Sequence, residues 1–212
     1  MLTIRPERPA DYAAVEQLTR QAFYNMYMPG CVEHYLVHTM RTHPDFIREL
    51  DDVLVLDGQI IANVMYTKAQ LTTPTGEVKP IVTFGPLSVA PAFQRQGYGK
   101  QLLNASFKQV RALGYPAIVI FGDPNNYVGR GFKSCHQFQV GLPDGKFPAA
   151  MLVKELVPGI LSGKRWHYTM SSVMDIDVAA AQEYDDHLPP MKRQWQPSQE
   201  AFKIISQAYL TD

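Results

Sequence analysis

Apolar residues recur at helical spacing in three stretches of the chain. One stretch begins after Asp11, a residue type that caps helices, and runs to Phe23. A second covers Val32–Thr42 and stops ahead of Pro44, because the residue before a proline avoids the helical conformation. A third ends at Gly114, a residue type suited to the position just after a helix. Its apolar stripe comprises Leu103, Phe107, Val110 and Leu113.

Short apolar runs between these helices predict strands. They cover Leu2–Arg5, Val53–Leu56, Ile60–Tyr66, Pro80–Val89 and Ala117–Phe121. Asp57-Gly58 joins the second run to the third, and this pair supplies the positive φ angles of a tight hairpin turn. Ala117–Phe121 is wholly apolar, so we expect both of its faces to be buried in a sheet. Pro86 has no N–H to donate, so we expect a bulge or an edge in its strand.

The rest of the chain continues this alternation. Phe132–Val140 and Met151–Leu156 are predicted strands, with a turn at Pro143-Asp144-Gly145 between them. The composition shifts from Lys164 onward. Beyond it we predict a strand over Trp166–Ile176, a short helix over Asp177–His187, and a last helix that begins at Ser198 and carries Phe202, Ile205 and Tyr209 on one face.

Strands that alternate with helices, some linked by hairpins and some by crossovers, predict an α/β fold with a mixed sheet and helical cover. Two parts are expected. Residues 1–160 form the main domain, and residues 161–212 form a C-terminal α/β extension. The extension carries several aromatic side chains that would be costly to leave in water, so we expect it to pack on the main domain.

Composition and charge narrow the function classes. The chain has 212 residues, and its 20 basic and 20 acidic side chains cancel. A balanced charge argues against a non-specific binder of nucleic acid or of membrane surfaces. With two cysteines, Cys31 and Cys135, the chain is no secreted disulfide scaffold, and it shows neither a signal peptide nor an apolar run that could span a bilayer. We therefore expect a cytoplasmic protein.

A metal site is not expected. His34 and His38 lie at i, i+4 on one helical face, but Tyr35 stands where a zincin-type motif needs glutamate. His43 lies about 140° further round the helix than His38, so one helix cannot bring all three imidazoles to one ion.

The segment from Phe84 to Lys100 carries the clearest chemical signal, because it has the pattern of a strand, a tight loop and a helix start. Gly97 and Gly99 let the backbone approach a ligand closely, and the first N–H groups of a helix have no partner within it. The helix dipole, Arg95 and Lys100 add positive charge. Together these features predict an anion site suited to a diphosphate.

Two well-known phosphate-binding loops do not fit this segment. A P-loop needs glycine where Gln94 stands, and serine or threonine where Gln101 stands. The dinucleotide-binding fingerprint needs a small residue in place of Leu102. The segment is therefore an anion site of another kind.

What remains is Gln94-x-x-Gly97-x-Gly99, preceded by a strand that ends in Leu87-x-Val89. This pattern resembles the acetyl-CoA loop of the GNAT family of N-acetyltransferases. The segment Tyr127–Phe132 resembles the Tyr-x-x-x-Gly-Phe segment of that family. Shorter segments between residues 4 and 159 resemble those of a bacterial subgroup, the YhbS-type predicted N-acetyltransferases. In that subgroup Arg-Phe precedes Gly-Phe, whereas Gly129-Arg130 stands here.

The resemblance implies a centrally splayed sheet of about six to seven strands, with the pantetheine arm of acetyl-CoA between Pro80–Val89 and Ala117–Phe121. A backbone N–H near Leu87 would face the thioester oxygen as an oxyanion donor. Arg95 is explained equally well as a solvated surface residue. The coenzyme-binding residues implied are Leu87, Ser88, Val89, Gln94, Arg95, Gln96, Gly97, Tyr98, Gly99, Lys100 and Asn125.

The same resemblance suggests catalytic roles. Tyr127 is the candidate general acid, since a phenol near the sulfur can protonate a leaving thiolate. Glu33 or His34 is the candidate general base, and a surface helix explains both residues equally well. The implied reaction is direct acetyl transfer, in a ternary complex, to the primary amine of a small molecule or a peptide.

Other functions stay open. A catalytically silent acyl-CoA sensor of the same fold is the main alternative, and an interaction protein that binds no nucleotide is a third. The extension after Lys164 is expected either to narrow the acceptor pocket or to build a homodimer contact.

Overall fold

The computed structural model describes residues 1–211 of the chain, and the helices within this range follow the predicted order. They are α1 (Tyr12–Phe23), α2 (Glu33–Met40), α3 (Tyr98–Ala112), α4 (Pro124–Tyr127), α5 (Val178–Asp186) and α6 (Pro197–Gln207). The first three correspond to the helices predicted from apolar periodicity, and α5 and α6 to the two helices predicted in the extension. None of the helices in residues 1–211 is long and apolar enough to cross a membrane.

The strands of the described chain form one large sheet and one small sheet. They are β1 (Leu2–Pro6), β2 (Asp52–Leu56), β3 (Gln59–Thr72), β4 (Val78–Val89), β5 (Ala117–Phe121), β6 (Lys133–Ser134), β7 (Val140–Gly141), β8 (Phe147–Pro148), β9 (Met151–Glu155), β10 (Trp166–Met170) and β11 (Tyr209–Leu210). The large sheet has the order β1-β2-β3-β4-β5-β9-β6, and β10 pairs with both β3 and β7. β4 pairs with β5 in parallel and β10 with β7 in parallel, while the other pairs are antiparallel. This mixed α/β sheet with helical cover confirms the predicted fold class.

The sheet opens between its two central strands. β4 and β5 are paired at Val82 and Ile118, and β4 then continues to Val89 without β5 beside it. The pairing of β4 with β3 shifts register between Val64 and Tyr66, opposite the stretch that contains Pro86. The missing N–H of Pro86 predicted such a bulge, and the opening is the splay that the family resemblance implied.

Both faces of the sheet are buried, and β5 shows this most clearly. Ile118 and Ile120 pack in the same core as Phe107 of α3, whereas Val119 packs with Trp166 on the other side. The wholly apolar run of β5 is therefore buried on both faces, as predicted. Farther along the sheet, side chains of α1 and α2 form a third apolar cluster with residues of the sheet. Its buried members are Val15, Leu36, Val37, Met40, Val53 and Met65.

Three predictions about the second half of the chain are wrong. A continuous strand over Phe132–Val140 does not form. The Ser134 hydroxyl caps a short 3-10 helix over Cys135–Phe138, and Gln139 has a left-handed φ of 52° that no strand allows. The strand predicted over Trp166–Ile176 ends at Met170, because Ser171 accepts a hydrogen bond from the Val173 N–H and starts another 3-10 turn. Tyr209 lies in β11, paired with Pro148 of β8, and not on the face of the last helix.

The segment after residue 160 is connected closely to the rest of the chain. β10 pairs with the far half of β3, where His167 lies opposite Thr72. Asp185 of α5 forms a buried ion pair with Arg20 of α1, with Asp185 Oδ1 2.6 Å from Arg20 Nε. The division of the chain at residue 160 stays a prediction.

Candidate active site

A cavity of about 570 Å³ lies where β4 and β5 separate. The strand β4, the loop after it and the start of α3 form one side. The end of α1, the loop that follows it and the start of α2 form another, and α4 contributes Tyr127 and Asn126. The cavity therefore connects the predicted anion site to the region of the predicted catalytic residues.

The backbone at the start of α3 is arranged to receive an anion. Gly97 is the residue before the helix and has a φ of 89°, a conformation that glycine adopts without strain. Within residues 1–211, no carbonyl and no side chain accepts a hydrogen bond from the N–H groups of residues 95–100. Arg95 and Lys100 are exposed, and no acidic side chain of the described chain forms an ion pair with either. The start of α3 therefore brings together backbone N–H donors without a partner among the described residues and two positively charged side chains.

Two side chains hold the loop before α3 in place. Gln94 donates from Nε2 to the carbonyl oxygen of Val89 at 3.0 Å. Gln96 donates from Nε2 to the carbonyl oxygen of Ala92 at 2.9 Å. Because both side-chain amides donate to carbonyl oxygens within the loop, the donors that the loop offers to an anion are its backbone N–H groups.

Most of the residues named as coenzyme-binding line this cavity. Those that do are Leu87, Val89, Gln94, Arg95, Gly97, Tyr98, Gly99 and Lys100. Ser88 does not, because its hydroxyl is buried and lies 2.9 Å from the hydroxyl of Thr19 in α1. Gln96 and Asn125 also lie outside the lining, and the Asn125 amide donates to Oδ1 of Asp123 at 2.9 Å. The neighbouring Asn126 faces the cavity instead.

Tyr127 lines the cavity from the end of α4. Its ring packs against Phe84 at 5.8 Å and against Phe132 at 5.7 Å between ring centroids. A Cβ on Gly122 would lie 2.6 Å from Cε2 of Tyr127, so only glycine leaves room for this ring. Burial raises the pKa of the Tyr127 phenol far above its ordinary range. The phenol is therefore protonated at neutral pH, as a general acid must be.

Glu33 lines the same cavity from the first turn of α2. Its Oε2 accepts a hydrogen bond from the backbone N–H of Val32 at 3.1 Å. Burial raises the pKa of the carboxyl to about 7, which is the range in which a general base works best at neutral pH.

His34 lies elsewhere. Its ring is completely buried, with Nδ1 3.2 Å from the sulfur of Cys31 and Nε2 3.3 Å from Oδ1 of Asp185. Burial lowers the pKa of this imidazole. His34 does not line the cavity, so of the two candidate bases Glu33 is the one placed to reach a substrate there.

Tyr27 is a cavity residue that the sequence analysis missed. It follows α1 and lines the cavity beside Glu33. Burial, followed by the nearby charge of Glu33, raises the pKa of Tyr27 to about 12. Its ring centroid lies 4.5 Å from that of Phe202 in α6 and 5.9 Å from that of Phe23. The one available signal was the aromatic and methionine content of residues 23–28, which has no spacing typical of a motif.

Arg130 is the second such residue, and it stands where the family pattern is altered. Arg130 lines the cavity, and its Nη1 donates to the carbonyl oxygen of Asn126. Gly131 follows with a φ of 83°. The carbonyl oxygen of Arg130 accepts a hydrogen bond from Nζ of Lys154 at 2.8 Å. The altered Gly129-Arg130 pair thus adds a cation to the α4 side of the cavity.

This fold and this cavity define a class of enzyme. The model of the acetyltransferase (GNAT) family matches residues 14–133, and the chain belongs to that family. The prediction of an N-acetyltransferase, made from residues 87–99 and 127–132, is thereby confirmed at the level of the enzyme class.

Individual relatives support the same assignment. The uncharacterized N-acetyltransferase YhbS of Escherichia coli is 28% identical over 171 residues, covering 78% of this chain and 96% of its own. The crystal structure of Escherichia coli YhbS in complex with CoA matches with a TM-score of 0.70 and 25% identity, over 82% of this chain and 92% of that one. A GNAT family acetyltransferase from Brucella melitensis in complex with acetyl-CoA matches with a TM-score of 0.63 and 25% identity, over 82% and 99% of the two chains.

Within the part of the chain that the structure describes, no group of three or more His, Cys, Asp or Glu side chains is arranged to hold a metal ion.

Proposed function

We propose that this protein binds acetyl-CoA and transfers its acetyl group directly to a primary amine in a ternary complex. The observation that carries the proposal is the continuity of the cavity. One open space reaches from the unpaired N–H groups of residues 95–100 to Glu33 and Tyr127. A diphosphate at one end and a reacting amine at the other would share this space.

The coenzyme end fits acetyl-CoA in three respects. The free N–H groups and the positive end of α3 suit a diphosphate. On the edge that faces β5, β4 has no paired strand beyond Val82, so an extended pantetheine arm can lie beside it. The relatives with bound CoA and acetyl-CoA have the same fold over most of this chain.

The residues at the other end supply the acid and the base. The Glu33 carboxylate accepts a proton from the attacking amine as the N–C bond forms and the thioester carbonyl becomes a tetrahedral oxyanion. The oxyanion then collapses to the amide, and the C–S bond breaks. A backbone N–H near Leu87 stabilises the oxyanion, and the Tyr127 phenol gives its proton to the departing thiolate. The proton released by the amine and the proton taken up by sulfur keep the reaction balanced.

The proposal is tested by mixing the full chain with acetyl-CoA and a panel of primary amines and following free thiol. We expect amine-dependent release of CoA. Tyr127→Phe should lower kcat by about 100-fold or more and leave the KM for acetyl-CoA unchanged. Tyr115→Phe is the matched control, because Tyr115 lies outside the cavity and should retain full activity.

Two results would contradict the proposal. If acetyl-CoA binds but no amine accelerates thiol release, the protein is the silent acyl-CoA sensor. If Tyr127→Phe keeps its kcat, the general acid is another group. A cytoplasmic location, a homodimer, and a small-molecule or peptide amine as acceptor stay predictions.

A further inference from the structure

The part of the cavity where the amine would enter has a distinct composition. We call it the acceptor wall, and it consists of the cavity residues contributed by α1, the loop after α1, α2 and the segment before α5. Its members are Ala22, Phe23, Met26, Tyr27, Glu33, Leu36 and Ile176. Among these described residues Glu33 is the one charged side chain, and the others offer apolar or aromatic surface.

The cationic side chains of the cavity come from elements outside the acceptor wall. Arg95 and Lys100 lie at the start of α3, beside the proposed diphosphate site. Arg130 follows α4 and is bonded to the carbonyl of Asn126. Behind the acceptor wall, the guanidinium of Arg20 is buried and paired with Asp185, so it is not available to a ligand.

The aromatic part of the acceptor wall is held in place by the C-terminal segment. Phe202 of α6 packs on Tyr27 with 4.5 Å between ring centroids, and Phe23 packs on Tyr27 from α1. A side chain packed between two rings keeps a fixed orientation, and offers a preformed aromatic surface. Tyr27 also borders a second recess of about 380 Å³ that Trp195 and Phe202 line, so aromatic surface continues outward from the cavity.

This distribution of charge and surface selects a class of acceptor, provided that the proposed acetyl transfer takes place. We propose that the acceptor is a primary amine carried by an apolar, ring-containing body that has no carboxylate near the amine. The ammonium group of such a molecule meets the carboxylate of Glu33 as it enters, and its body meets Met26, Leu36 and Tyr27. A carboxylate held against the acceptor wall would lose its hydration, and no residue of that wall would supply a cation.

Three compounds with the same ring test whether a carboxylate beside the amine weakens the reaction. They are 2-phenylethylamine, phenylalaninamide and phenylalanine, which differ in the group beside the amine. We expect kcat/KM to fall in that order, with phenylalanine about 10-fold or more below 2-phenylethylamine because its carboxylate has no partner in the acceptor wall. A higher kcat/KM for phenylalanine would overturn the inference and would indicate Arg130 as a carboxylate partner.

A binding measurement keeps this test separate from the test of acetyl transfer. Calorimetry of the CoA-loaded protein should show that 2-phenylethylamine binds and that phenylalanine binds more weakly. If that order is found but thiol is never released, the acceptor inference stands and the proposed function fails. If thiol is released with a polyamine or a lysine peptide and 2-phenylethylamine neither binds nor reacts, the function stands and the acceptor inference fails.

A pair of variants on α6 tests the role of the aromatic stack. Phe202→Ala removes the ring behind Tyr27 and should raise the KM for 2-phenylethylamine several-fold, leaving the KM for acetyl-CoA unchanged. Ile204→Ala is the control on the same helix, because Ile204 is 64% exposed and its side chain is not part of the stack. Equal KM values for the amine in both variants would overturn the role of Phe202.

Discussion

The two sides of the cavity are built in different ways. The side proposed to hold the coenzyme, here called the coenzyme side, comes from one contiguous stretch, Phe84–Lys100, in which a strand, a loop and a helix start follow each other. The acceptor wall comes from α1, the loop after α1, α2 and Ile176, and Phe202 supports it from a distant part of the sequence. A site made of backbone groups depends on local sequence, whereas a site made of side chains depends on what packs behind them. Changes in the C-terminal segment should therefore alter amine binding and leave coenzyme binding intact.

The largest effect is expected from breaking the link between α5 and α1. Asp185→Asn removes the negative partner of Arg20, and both side chains are nearly completely buried, with exposed fractions of 4% and 2%. An unpaired buried guanidinium costs about 3 kcal/mol of unfolding free energy. We expect denaturant and thermal unfolding to show this loss, and the KM for the amine to rise in the folded fraction.

The neighbouring carboxylate provides the control. Asp186 lies 2.9 Å from Arg193, as Asp185 does, but its side chain is 63% exposed. An exposed ion pair contributes about 0.5 kcal/mol or less, so Asp186→Asn should unfold like the unaltered protein. An equal loss of unfolding free energy in both variants would contradict the role given to burial. An altered Kd for CoA in Asp185→Asn would show that the two sides of the cavity are not independent.

The same contrast explains how much the sequence could predict. The order of the main strands and helices follows from period and turn residues, as at Asp57-Gly58 and in the apolar run of β5. The proposed anion site follows from the residue order Gln94–Lys100. Tyr27 could not be predicted, because its place depends on Phe202, and neither residue belongs to a motif. The strand expected over Phe132–Val140 failed for a local reason, since the hydroxyl of Ser134 offers the backbone an alternative partner.

A smaller effect, on rate, is expected at Glu33. The pKa of this carboxyl is about 7 because of burial, and a base must be unprotonated. At saturating amine, kcat should therefore rise with pH up to about pH 7 and level off above it. Glu33→Gln should remove this limb and lower kcat at pH 8 by roughly 100-fold. Glu183→Gln, at an exposed carboxylate on α5 outside the cavity, should keep the limb.

The pH dependence of the unfolding free energy is an independent test of the Glu33 carboxyl. The pKa of Glu33 is raised in the folded state from its ordinary value of 4.5 to about 7, so the folded chain holds this proton more tightly than the unfolded chain. The Glu33 contribution to the unfolding free energy therefore decreases as pH rises from 4.5 to about 7. Glu33→Gln should flatten that decrease. A pH-rate limb that survives in Glu33→Gln would assign the base to another group.

The smallest expected effect tests whether the coenzyme side depends on backbone alone. Gly97 and Gly114 lie at opposite ends of α3 with φ angles of 89° and 87°, and a Cβ at either position would meet no atom within 4 Å. Alanine at each should therefore cost the same conformational strain, about 1 kcal/mol of unfolding free energy. If the N–H groups of residues 95–100 bind the diphosphate, only Gly97→Ala should also weaken CoA binding, by roughly 10-fold, because strain there displaces the donors. Equal Kd values for CoA in the two variants would place the diphosphate elsewhere and separate the coenzyme from the start of α3.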